Sequence, residues 1–419
     1  MPISSFHQTL RDNGDVFVAV SLAGCLLSRY WTLGVLVVFF SLLVVTGGLG
    51  YVPRLFRTYR DIGTDFRGVY YNFKILYSIV VLALVLLHSD RIATAETPLK
   101  TLAVAMIIVL HLERFRWKVL IYGIAAGAVL AFLIGVYQMT YQLVDRAGGD
   151  TNPIRFGMMA LTFGLISAVA FLNARGDRST MLLSLAGLLG GSAAALFSGS
   201  RGAFVVLPVV LLILAPLLWQ RSRRGFLAIA AAVTVLVSAL LLGNVSYMST
   251  RISTAYDSIT ALIAGNANEA DQSIGDRTKL LVLSVQLFRQ SPWVGVGSNG
   301  WNEAVEALVV APNPSDRIVL PYNQAHNQYA DDLAKGGIVR FFCGFLLLFL
   351  PLYLFNKCEP FGEHPDSKFA LAGVVVSISF IIYCLTESLM ILGLPATVHA
   401  ALIFYLLGAC DEARARHKG

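Results

Sequence analysis

Apolar residues in this chain run together in long unbroken stretches, and seven of those stretches are long enough to cross a bilayer outright. A helix needs about 20 apolar residues to span the ~30 Å hydrocarbon core. Runs of that length, with no polar residue at every second position, are the pattern of membrane helices rather than of strands. The fold class expected is therefore an all-α polytopic membrane protein. Its spans fall at about 16–30, 31–48, 73–88, 100–112, 117–138, 156–173, 180–198, 202–219, 225–243, 337–356, 369–389 and 393–409. Of the 419 residues, 56% are apolar and only 14% charged. A soluble chain carries about 25% charged residues.

The charges report which side is which. If the N-terminus lies inside and the chain alternates, the inner connections hold Arg54, Arg57, Arg60 and Arg67, then Arg114, Arg116 and Lys118, then Arg175 and Arg178. Later inner connections hold Arg221, Arg223 and Arg224, then Lys357 and Lys368, then Arg414, Arg416 and Lys418. The short outer connections hold only Arg29, Arg91, Lys100, Arg146, Arg155 and Arg201. That asymmetry is the positive-inside pattern. It explains the net charge of +7 without a nucleic-acid partner. Both termini are expected inside, and the polar interval 244–336 outside. The organisation expected is spans one to nine over 1–243, an outer helical loop over 244–336, and spans ten to twelve with a basic tail over 337–419.

Cys25, Cys343, Cys358, Cys384 and Cys410 all lie in or beside apolar segments. Neither a disulfide framework nor a zinc-type spacing is expected. The first apolar segment lacks a basic leader and a small-residue cleavage site, so it reads as an uncleaved span. The outer loop has helical pattern of its own. Residues 277–290 carry an apolar stripe at Leu280, Leu283, Leu287 and Phe288, ended by Ser291-Pro292. A second helix is expected from about Asn323 through His326, Tyr329, Asp332 and Leu333 to Gly336-Gly337.

Several residues in or near the loop could carry chemistry. Arg201 sits in Ser198-Gly-Ser-Arg201-Gly, a tight outward turn between two spans. A helix starting at about Gly202 would aim free N–H groups and a positive dipole end at the outer boundary, an arrangement suited to phosphate. The alternative is an arginine snorkelling to lipid head groups. Arg277 follows Gly275-Asp276 at a helix start, where an N-capping aspartate and a solvated arginine are the plainer reading. Of the seven histidines only His326 lies in the outer loop. It could accept a proton near neutral pH, or be an ordinary surface histidine.

Other features argue for less. Gly295-Val-Gly297-Ser-Asn-Gly300 matches a dinucleotide fingerprint in letters but follows a helix and a proline instead of a strand. It reads as a flexible turn, with Trp293 and Trp301 anchoring it at the interface. Glu269 and Asp271 are a weak acidic pair for a metal. Asp331 and Asp332 read as solvated or cap-related. No cofactor and no metal are expected.

Taken together, the chain resembles the O-antigen ligase family. The resemblance rests on Ser198-Gly-Ser-Arg201-Gly between two spans and on Arg277 opening a helix that leads to Ser291-Pro-Trp-Val-Gly295-Val-Gly297. It rests also on His326-Asn-Gln-Tyr329 followed by Leu333 and Gly337, and on about twelve spans with a large loop between the ninth and tenth. Asn152-Pro153-Ile154 is similar too. The departures are Leu280-Leu281, where the family often has an aromatic, and Arg340, where it has glycine. The resemblance implies a fold similar to that of GT-C glycosyltransferases, in the bacterial inner membrane with its active site facing the periplasm. It implies transfer of O-antigen from undecaprenyl pyrophosphate to a sugar hydroxyl of lipid A–core, inverting and without metal. Arg201 and Arg277 would hold the diphosphate, with Arg155 as a weaker contact, and His326 would serve as base. An O-antigen polymerase or a protein O-oligosaccharyltransferase would use the same donor. A transporter or flippase is the reading from another class, though it would place charges at mid-membrane and not at one face.

Overall fold

The apolar runs become helices, and no strand occurs among the described residues. The computed structural model describes residues 3–28, 30–47, 65–174, 176–221, 223, 227, 272–310, 322–362, 364 and 366–418. The helices in chain order are α1 (Ile3–Asp12), α2 (Gly14–Gly24), α3 (Trp31–Gly47), α4 (Phe66–Leu87), α5 (Glu96–His111) and α6 (Trp117–Thr140). They continue as α7 (Pro153–Asn173), α8 (Arg178–Phe197), α9 (Arg201–Phe204), α10 (Val206–Arg221), α11 (Gln272–Gln290) and α12 (Gly297–Val310). The last three are α13 (Gln328–Asn356), α14 (Ser367–Tyr383) and α15 (Gly393–Lys418). Among the described residues, seven helical segments are long and apolar enough to cross a membrane, while α2, α3, α9–α10 and α14 are shorter apolar pieces. The expected span 225–243 and the pair Glu269/Asp271 lie outside the described residues.

Close helix packing is made by small residues, as lipid-embedded bundles require. A side chain on Gly123 of α6 would strike the Ala19 carbonyl of α2, and one on Gly191 of α8 would strike the Ala160 carbonyl of α7. Helix α15 is enclosed almost completely by the others. Its far end supplies carboxylates to its neighbours. Asp411 accepts from Phe66 and Arg67 N–H (3.1 and 2.9 Å), and Glu412 accepts from Phe115 N–H (3.2 Å). All five cysteines are free.

Three expectations about residues 293–332 need correcting. Gly295-Val-Gly297 is not a flexible turn: it fills a break in α13. Gly337 lies inside α13 with φ +61°, which kinks the helix and frees the N–H groups just beyond. Ile338 N–H donates to Pro292 O (2.8 Å) and Val339 N–H to Trp293 O (3.3 Å), while Val296 N–H donates to Ala334 O (2.9 Å). The loop thus supplies the hydrogen bonds the kink removes. It is held from the membrane side as well. His88 Nε2 bonds to Gly295 O (3.0 Å), and the Asp90 carboxylate accepts from Ser298 and Asn299 N–H (2.7 and 2.9 Å) at the start of α12. The two tryptophans also part ways. Trp293 is 72% exposed, but Trp301 is wholly buried, donating from Nε1 to Tyr322 O (3.2 Å). Trp301 belongs to a small apolar core with Leu280, Leu283, Leu287, Val305 and Ala330.

Asp331 and Asp332 are not solvated either. Both are buried and paired, Asp331 with Lys335 (2.8 Å) and Asp332 with Arg340 (2.8 Å). Asp331 also accepts from Ala325 N–H (3.0 Å), and Lys335 donates to Asn323 O (2.6 Å) beside the Trp301 ring. These bonds pin the Tyr322–Asn327 strap onto α13.

Gly295 has φ +71°, and a Cβ there would meet Ala334 O at 2.7 Å and the Gly336 backbone still closer. Gly295→Ala should therefore cost about 1–3 kcal/mol, read as a lowered thermal unfolding temperature of the detergent-solubilised protein, with Trp293→Ala as an unaffected control. Asp331→Ala should cost about 3–5 kcal/mol, because it leaves Lys335 buried without its counter-charge. Asp331→Ala/Lys335→Met should recover most of that loss in the same measurement.

Candidate functional site

His326 precedes its helix instead of lying within it. The helix starts at Gln328, where the Asn327 side chain caps it by accepting from Ala330 N–H (3.0 Å). His326 itself has φ +50°, a left-handed conformation uncommon for residues other than glycine. Neighbours on both sides hold it there. Gln324 is bound to Glu387 (2.7 Å), and Asn327 Nδ2 donates to Leu385 O (3.1 Å).

The residue that the sequence reading passed over is Glu387. Span 369–389 was expected to be one continuous helix, but α14 stops at Tyr383 and the chain turns through 384–388. Within that turn Glu387 is 2% exposed and accepts from two side chains. Its Oε1 takes Gln324 Nε2 (2.7 Å), and its Oε2 takes His326 Nδ1 (3.0 Å). Where Glu387 is ionised it can only accept, so Nδ1 is the donor, and a neutral ring then keeps its lone pair on Nε2. The imidazole is 16% exposed. A carboxylate at the outer end of an apolar run, in Thr386-Glu387-Ser388, was the available signal.

The segments that carry the arginines connect to this pair indirectly. Arg155 lies in the first turn of α7, which Asn152 caps by accepting from Ile154 N–H (2.8 Å). The charge acting on Arg155 is that of Glu387. Its Nε is buried without a hydrogen-bond partner, and among the described residues its guanidinium has no ion pair. Arg201 is exposed at the start of α9, one residue earlier than expected. That four-residue turn leads into α10 through Val205, itself in a helical conformation (φ −58°, ψ −26°). A Cβ on Gly202 would meet Thr386 Oγ1 at 3.0 Å, so the Arg201 turn abuts the Glu387 segment. Arg146 steadies the turn from outside by donating from Nε to Ser198 O (2.9 Å).

Arg277 lies inside α11, which begins earlier than expected at Gln272, so Asp276 is not its N-cap. Asp276 is buried and accepts instead from the Tyr322 hydroxyl (3.3 Å). Partial burial and then the Asp276 charge push the Tyr322 hydroxyl above the usual phenol range, so it stays a donor. The Tyr322 ring stands edge-on to His326 at 5.0 Å, and the Arg277 charge acts on Tyr322. Arg277 makes no hydrogen bond or ion pair with another described residue. His326, Glu387, Arg155, Arg201 and Arg277 are thus linked through adjoining segments of α7, α9, α11 and the 322–327 and 384–388 straps. Among the described residues no group of His, Cys, Asp and Glu is placed to hold a metal ion. The arrangement offers a protonatable ring oriented by a carboxylate, beside guanidinium groups able to take an anion.

An uncharacterized protein of Haemophilus influenzae is 22% identical over 373 residues, covering 84% of this chain and 91% of its own length. Residues 185–349 match the family model described as O-antigen ligase, an interval that contains Arg201, Arg277 and His326. Over residues 185–349, this chain is similar to the O-antigen ligase family.

Proposed function

We propose that the protein is a membrane glycosyltransferase that moves O-antigen from undecaprenyl pyrophosphate to a sugar hydroxyl of lipid A–core. The observation that carries this reading is the His326–Glu387 hydrogen bond (3.0 Å) beside the Arg155 guanidinium, which has hydrogen-bonding capacity to spare. Under this proposal the His326–Glu387 pair faces the periplasm of the bacterial inner membrane and both termini face the cytoplasm.

The chemistry follows from what each group can do. The donor sugar is joined through C1 to a pyrophosphate, which leaves as a stable anion. Arg201, Arg277 and Arg155 hold that diphosphate by charge-assisted hydrogen bonds and neutralise the charge that grows as the C1–O bond breaks. The acceptor hydroxyl attacks C1 from the opposite face, which inverts the anomeric centre. Its proton passes to His326 Nε2, and Glu387 stabilises the resulting imidazolium through Nδ1. No step in this scheme requires a metal ion.

A reconstitution offering lipid A–core, a second carrier-linked glycan and a peptide as competing acceptors tests the assignment against a polymerase or a protein-glycosylating enzyme. Lipid A–core should be the acceptor used, and preference for either competitor would replace the ligase reading. His326→Ala and Arg201→Ala should each lower transfer by about 10²–10⁴-fold while the protein stays folded and inserted; wild-type-like transfer by either variant would refute the roles given. A chelator should leave the rate unchanged, and strict dependence on a divalent ion would overturn the metal-free scheme.

A further inference from the structure

At the opposite end of the helix bundle lies a cavity of about 280 Å³. Its place follows from α4, which begins at Phe66 beside the cavity and ends at Leu87 beside His88, the residue that bonds to the Gly295 loop. Twenty-two residues of helix rise ~33 Å, about the thickness of the hydrocarbon core. The cavity and the candidate site therefore sit at opposite membrane boundaries. Its size is near the ~300 Å³ lower end of ligand pockets, so it suits a headgroup-sized ligand.

The lining is charged with both signs. Arg11 and Arg67 face Asp65 and Glu113, with Leu112 and Phe115 as apolar wall. Asp411 and Glu412 also line it, but both are occupied with backbone N–H groups. Arg67 is 8% exposed and donates one hydrogen bond, from Nη1 to Leu112 O (3.3 Å). A guanidinium has five N–H donors, and among the described residues Arg67 has no ion pair within contact distance. A buried cation with most of its donors unspent is costly unless something else takes them. Arg11 pairs with Glu113, and its Nε is likewise buried without a partner. Asp65 stands at the start of α4 without using its side chain as a cap.

These groups would repel a simple anion, because the carboxylates outnumber the arginines. They would also serve a simple cation poorly, because Arg67 offers only donors. We infer that this cavity binds the zwitterionic headgroup of an amine-bearing phospholipid, of the phosphoethanolamine class. Its phosphate meets the Arg67 guanidinium and its primary ammonium meets Asp65 and Glu113. The glycerol and acyl chains leave past Leu112 and Phe115 into the bilayer. The inference is independent of the glycan chemistry at the other boundary.

Native mass spectrometry of the full-length protein in detergent tests it, with phosphatidylethanolamine, phosphatidylglycerol and glycerophosphoethanolamine as probes. Phosphatidylethanolamine should be retained at least tenfold more tightly than phosphatidylglycerol. Asp65→Asn should weaken that retention by about tenfold while leaving phosphatidylglycerol unchanged, and Arg67→Gln, which removes the phosphate contact, should weaken it by about tenfold as well. If Arg67→Gln fails to fold, Asp65→Asn carries the test, because that side chain makes no capping bond. Equal retention of the two lipids, or unchanged binding by Asp65→Asn, would overturn the inference. So would glycerophosphoethanolamine competing as well as the lipid, which would mean a soluble ligand.

Discussion

The hydrogen bond between His326 and Glu387 is the interaction on which the functional reading depends. It joins a strap entering one helix to a strap leaving another, 61 residues apart in the chain. With Glu387 ionised and the ring neutral, it also sets which ring nitrogen keeps a lone pair. A lone histidine in an outer loop is ordinarily a surface residue. A histidine held in a left-handed conformation, oriented by a carboxylate that is 2% exposed, is harder to explain without chemistry. The cost of burying Glu387 is offset by two hydrogen bonds, from Gln324 and His326, and by the nearby charge of Arg155.

That pair can be held only because the surrounding backbone is held. The kink at Gly337 would leave α13 with unpaired N–H groups in a region where water is scarce. The Pro292–Val296 loop takes those bonds, and His88 and Asp90 tie the loop to the end of α4. On the other side of the strap, Asp331 and Lys335 fasten residues 323 and 325 to α13. Rigid support of this kind is what a reacting group needs if it is to stay within a few tenths of an ångström of its working position.

Much of the architecture was legible in advance because lipid leaves the backbone little choice. Eleven of the expected spans fall on observed helices, and the other lies outside the described residues. Residue type and position in the sequence pattern singled out Arg201, Arg277, His326 and Arg155 as candidates. What could not be read were features set by contacts far apart in sequence. Hydropathy carried the eleventh span through Glu387, because one carboxylate scarcely lowers an apolar average, and the break at Tyr383 has no glycine or proline to mark it. Periodicity placed His326 in a helix because the strap is as polar as a solvated helix face. Trp301 read as an interfacial anchor because its partner, the Tyr322 carbonyl, comes from a segment 21 residues on. Asp331 and Asp332 read as solvated or cap-related because the burial that pairs them with Lys335 and Arg340 is set by packing that the local pattern does not carry.

The central claim is that Glu387 orients and supports His326 as the base for glycan transfer. The most direct test is the steady-state transfer rate of Glu387→Ala in a reconstitution with carrier-linked glycan and lipid A–core. The account predicts that kcat falls by about 10²-fold while the KM for the donor changes little. An unchanged kcat, or a loss confined to donor KM, would contradict it.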